Sequence, residues 1–118
     1  MRESEDRIQS QCYTWFHNNY PQYRMLLNYN LNNSKNAIDG RRNKALGLQA
    51  GRADMTLYFE GSAYFLEFKT PTGTQQKIQK EFQAIVEHHG FEYFIIRDIE
   101  TFKSTISYII SKRINGTD

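Results

Sequence analysis

The chain has one cysteine, Cys12, in 118 residues. An internal disulfide is therefore excluded, and the composition suits a reducing cytoplasm. No apolar run approaches the ~18 residues that a membrane-spanning helix needs. The N-terminal stretch MRESEDRIQ has no apolar signal core, so the sequence predicts a soluble protein that is not exported. There is no repeat, no low-complexity tract and no glycine-rich loop of the phosphate-cradling kind, which argues against nucleotide-driven activity. The Asn-Gly-Thr at Asn115 fits a glycosylation pattern, but nothing else points to secretion. Net charge is also small, at +2.

Aromatic residues are plentiful: eight Tyr and eight Phe help bring the aromatic share to 14%. With that supply, one domain spanning residues 1–118 can bury roughly two-thirds of its unfolded surface in one core. Charge, though small in total, is unevenly placed. Between Pro21 and Ala53 the basic residues Arg24, Lys35, Arg41, Arg42, Lys44 and Arg52 face a single acid, Asp39, which makes that segment +5 and the remainder −3. A local excess of this kind suits contact with a polyanion, although any one of these side chains alone reads as a solvated loop charge.

Ser4 can cap a first helix running to about Tyr20, with Ile8, Cys12, Trp15 and Phe16 as its buried stripe. Glu5 falls at the margin of that stripe and faces partly inward. The stretch from Gln22 to Gly51 reads as loop, with a helical turn around Arg42 to Leu48. Met55 to Phe59 reads as a strand, Glu60-Gly61-Ser62 as a tight turn and Ala63 to Lys69 as the hairpin partner. A helix follows from Thr74 to about His89, ended by Gly90, then a buried strand from Tyr93 to Ile96 and a last helix from about Glu100 to Lys112. The expected class is α/β, a small mixed sheet flanked by helices in the order α-β-β-α-β-α, with the last strand parallel to a neighbour because a helix precedes it. His88-His89 falls at a helix end and suits capping better than metal binding. Cys12 lies on the buried stripe and suits packing better than nucleophilic attack.

Within "GRADMTLYFEGSAYFLEFKTPTG" the charged residues are oddly placed for stability alone. Alternation puts Glu67 and Lys69 on one face of their strand, and symmetric pairing about Gly61 brings Asp54 level with them. Each alone reads as an ordinary strand-end charge. Together they suit a hard divalent cation such as Mg2+, which takes one or two protein carboxylates and keeps several waters. A lysine beside it can orient an attacking water and offset charge at phosphorus. The constellation suits phosphodiester hydrolysis.

Asp54, twelve residues, then Glu67-Phe68-Lys69 resembles the D-(x)n-E-x-K core of the PD-(D/E)XK nuclease superfamily. The flanks extend the resemblance, over nearly the whole chain, to the VRR-NUC family of the small standalone phage or bacterial type. They are E-x-x-I-Q at Glu5, C-x-x-W-F at Cys12, YPQYR at Tyr20, G-x-x-D at Gly51, E-x-K-x-x-x-G at Glu67, Q-K-E-F at Gln79, and Gly90 before the last strand. The resemblance implies that Asp54, Glu67 and the Phe68 backbone carbonyl are metal ligands and that Lys69 is the catalytic lysine. It further implies that Glu5 completes the site and that Gln79 supports it from the next helix, with Mg2+ as cofactor and Mn2+ as its substitute. Arg41 and Arg42 resemble the basic residues that follow the family's middle loop. In this chain Ala53 replaces the usual proline before the aspartate, and Asn28-Tyr29-Asn30-Leu31-Asn32 replaces the family's Pro-Asn-Gly-Gly.

The implied activity is a metal-dependent DNA endonuclease acting on branched DNA such as four-way junctions, in the cytoplasm of a bacterial or phage-infected cell. A flap or other repair nuclease and an inactive nucleic-acid-binding module are the alternatives. Cutting two strands of a junction symmetrically calls for a homodimer. Tyr29, Leu31, Tyr108, Ile109 and Ile110 are the apolar surplus that would build its interface.

Overall fold

The computed structural model describes residues 4–30 and 36–114. Helix α1 (Glu5–Asn19) starts where the Ser4 hydroxyl accepts from Arg7 N at 3.1 Å. Its stripe packs as the spacing predicts: Ile8, Cys12 and Phe16 are buried, and Trp15 packs against them half-buried.

The middle segment holds more structure than the sequence predicts. Pro21–Leu26 is a 3-10 helix, and β1 (Leu27–Tyr29) is a short strand pairing antiparallel with β2 (Met55–Phe59). Helix α2 (Ala37–Ala45) replaces the expected turn around Arg42 to Leu48, beginning five residues earlier at Ala37, behind its Asn36 cap. It buries none of its residues. The hairpin is as expected in kind, with β2 matching residue for residue and β3 spanning Ser62–Phe68, one residue earlier than predicted. Glu60 (φ 51°) and Gly61 (φ 84°) both take positive φ, which gives the two-residue turn that matches strand twist.

Helix α3 (Lys77–His88) begins three residues later than Thr74, because Gln76 is its cap. It is followed by β4 (Glu92–Ile96), parallel to β3, and α4 (Ile99–Ile114), capped where Thr101 N donates to Asp98 Oδ1 at 2.7 Å. The sheet order is β1-β2-β3-β4, mixed as predicted. Alternation along β3 divides the core. Tyr64, Leu66 and Phe68 join α1 and α4 residues on one face, while Phe65 packs with Tyr93, Phe82 and Val86 under α3 on the other. The result is a three-layer α/β/α sandwich.

The apolar surplus is partly absorbed by this core. Ile109 is fully buried and Ile110 packs against it, whereas Tyr29 and Tyr108 stay exposed and Leu31 lies outside the described residues. Asn115 also lies outside them. Among the described residues no helix is long and apolar enough to cross a membrane.

Candidate active site

The sheet end where β3 finishes carries the charged cluster. The antiparallel register pairs Met55 with Leu66, so continuing it by one step sets Asp54 opposite Glu67. Phe68 N donates to Asp54 Oδ2 at 2.7 Å, binding the two strands through the carboxylate itself. In an extended strand a residue's N–H and C=O point the same way, so the Phe68 carbonyl also faces the Asp54 side. Lys69 N turns the other way, donating to Ile96 O at 3.0 Å.

Glu67 is fully buried and Lys69 is 5% exposed. Lys69 Nζ lies 3.5 Å from Glu67 Oε2 and 3.9 Å from Glu5 Oε2. Glu67 Oε1 accepts from Tyr93 OH at 2.5 Å and from Gln75 Nε2 at 2.9 Å, while Glu67 Oε2 is buried with no hydrogen-bond partner. Taking such charges out of water costs several kcal/mol per ion that attraction alone often fails to recover. Burial likewise pushes the Asp54 carboxyl above its ordinary value, helped by the nearby Glu67 and Glu5 charges and opposed by the Phe68 N–H and by Lys69. Stability alone does not explain the cluster.

A cavity of about 260 Å3 opens over this end, lined by Glu5, Ala50, Gly51, Arg52, Asp54, Lys69, Gln76, Ile78 and Gln79. Gly51 makes the approach possible. At φ +83° a side chain is strained, and a Cβ there would meet Ile78 Cγ1 at 2.5 Å and Ile78 O at 2.8 Å. Arg52 follows, with its guanidinium over the Phe82 ring at 5.5 Å. Gln79 reaches the cavity from α3, and its Oε1 accepts from Gln76 N at 2.8 Å as half of a capping box.

Glu5, Asp54, Lys69, Gln79 and Arg52 are thus brought together around one cavity, with Glu67 and Phe68 joined to it through Lys69 and Asp54. Arg41, Arg42 and Lys44 sit exposed on α2 and do not line it, and Lys35 lies outside the described residues. Several contributors carried no sequence signal. Asn30 N donates to Asp54 O at 2.8 Å and its amide donates to Ala53 O and Thr56 Oγ1, so the Asn-rich stretch braces the aspartate. Arg97 Nη1 donates to the carbonyls of Thr70 and Gly73 at 2.7 and 2.6 Å and clamps the turn that follows Lys69.

Among the described residues no group of three or more His, Cys, Asp or Glu side chains gathers to hold a metal by itself. The donor set fits an ion that takes two carboxylates, one carbonyl and water, and Glu67 Oε2, buried without a hydrogen bond beside the Lys69 ammonium, fits it best of all. Cys12 stays out of the chemistry: it is buried, and burial pushes its thiol up to about 12.

No protein-family model matches the chain, and no curated protein matches it. Among solved structures, one described as a "VRR_NUC domain protein" superposes over 94% of this chain and 91% of its own, with a TM-score of 0.77 at 16% identity. The chain therefore has the fold of a VRR_NUC domain protein.

Proposed function

We propose that the chain is a VRR-NUC nuclease that hydrolyses phosphodiester bonds in DNA with Mg2+ as its ion, Mn2+ substituting. The observation that carries this reading is the buried Glu67 Oε2, which makes no hydrogen bond and pairs by charge with Lys69 Nζ at 3.5 Å, across the hairpin from Asp54, which lines a polar cavity. Asp54, Glu67 and the Phe68 carbonyl would hold the ion, which when bound supplies charge neutralisation and a more acidic water. Lys69 orients the attacking water and offsets the charge that builds on the phosphoryl oxygens. Glu5, 3.9 Å from Lys69 Nζ, holds that ammonium from the other side and completes the site; Gln79 supports it from α3. Arg52 meets substrate phosphate at the cavity, and Arg41, Arg42, Lys44 and Lys35 extend the contact along the backbone.

The substrate is branched DNA, with a four-way junction as the form that two symmetric sites would resolve. The working unit is a homodimer in the cytoplasm. The exposed Tyr29 on edge strand β1 gives such a dimer an apolar, pairable edge. Cleavage of four-way junction, flap and linear duplex in Mg2+, run beside light scattering, tests this. Junction preference by a species near twice 14.0 kDa is expected, and equal cutting of linear duplex by a 14.0 kDa monomer would refute the branched-substrate dimer.

A further inference from the structure

The bonds to Glu67 are lopsided. Both donors fall on Oε1, Tyr93 OH at 2.5 Å and Gln75 Nε2 at 2.9 Å, and none falls on Oε2. Oε2 instead faces the Lys69 ammonium across 3.5 Å, an ion pair without a hydrogen bond, and a buried acceptor that makes no hydrogen bond costs about 1–3 kcal/mol. Two donors converging from different elements fix the plane of the carboxylate. They leave Oε2 as the oxygen that meets positive charge, the Lys69 ammonium at 3.5 Å and a metal ion where one binds.

The donors are themselves held. Gln75 Nε2 also donates to Gln83 Oε1 at 2.8 Å, and Gln83 Nε2 donates to Glu87 Oε2 at 3.1 Å, so a chain of amides runs from the buried carboxylate along α3 to its surface. That chain sets which way the Gln75 amide points: its nitrogen must face Glu67. Tyr93, 7% exposed, stands on β4 where Phe65 and Phe82 pack around its ring.

We propose that Tyr93 and Gln75 are positioning residues for Glu67, saturating Oε1 so that Oε2 is presented to a hard divalent cation and the cation's affinity is set there. The proposal rests on the metal-dependent reading of the site. Partners of metal-binding groups typically carry 10–100-fold in affinity.

Calorimetric titration of Mn2+ into the wild type, Tyr93→Phe, Gln75→Leu and the control Tyr108→Phe tests it. Tyr108 donates to the surface Glu92 at 2.8 Å and so loses the same kind of bond away from the site. The expected result is a 10–100-fold weaker Kd for Tyr93→Phe and Gln75→Leu, none for the control, and cleavage by the two variants restored as Mn2+ is raised. Should Tyr93→Phe fail to fold, the half-buried Gln75→Leu decides alone. Wild-type affinity in the folded variants would overturn the positioning role while leaving the metal site standing. Absence of Mn2+ binding by the wild type itself would overturn both.

Discussion

Phe68 N donates to Asp54 Oδ2 at 2.7 Å, so the strand that carries Glu67 also fixes the carboxylate opposite it. Two acids that repel one another are thereby held level across a hairpin, and burial raises the Asp54 pKa as the consequence. The site is assembled at a cost to the metal-free fold, which can be measured.

In chelator, Asp54→Asn should be more stable than the wild type at neutral pH. Because the folded carboxyl binds its proton more tightly than the unfolded one, folding stability falls as pH rises from the ordinary carboxyl value of about 3.8 through the raised folded value, then stays lower. The gap between variant and wild type should open over that window and remain open at pH 7. A rise in Tm of roughly 2–6 °C corresponds to ~1 kcal/mol in a domain of this size. A variant Tm below the wild type at pH 7 would contradict the cause assigned here.

Gly51→Ala should cost about 1–3 kcal/mol and lower cleavage, since the added Cβ would sit 2.5 Å from Ile78 Cγ1 and 2.8 Å from its carbonyl at a positive φ. Gly47→Ala is the comparison: φ is +103° but nothing lies within 4 Å. Urea unfolding of both should rank Gly51→Ala as the more damaging.

The hairpin and its charges were legible because they depend on local rules: a Glu-Gly turn, period-2 alternation and symmetric pairing place Asp54, Glu67 and Lys69 without any distant contact. Strand β1 was not, since it is three residues long, buries only Leu27 and exists through pairing with β2. Helix α2 carries Gly40 in its middle and has no apolar stripe to betray a period. Asn30 reads as loop because its role is to bond Ala53, Asp54 and Thr56 across more than twenty residues. Tyr93 looks like core until its hydroxyl is seen to reach Glu67, 26 residues away.

Arg41→Ala with Arg42→Ala should weaken DNA binding evenly across sequences and lower the salt dependence by about one unit per lost phosphate contact. Because α2 buries none of its residues, Tm should not move. Binding isotherms at several salt concentrations check this, and an unchanged slope would return both arginines to the solvated surface.

Cys12 should resist iodoacetamide at pH 8 in the native protein and react only on unfolding, because burial pushes its thiol up to about 12 and closes it to reagent. Mass spectrometry before and after denaturant reads the difference. Rapid native alkylation would contradict the packing of α1.

The central claim is that Asp54, Glu67 and Lys69 form one metal-dependent hydrolytic site, and a four-way junction cleavage assay tests it most directly. With Mg2+ the wild type should cut. Excess chelator, Asp54→Ala, Glu67→Ala and Lys69→Ala should each abolish cutting, with circular dichroism showing every variant folded. Undiminished cleavage in chelator, or by folded Glu67→Ala, would contradict the account.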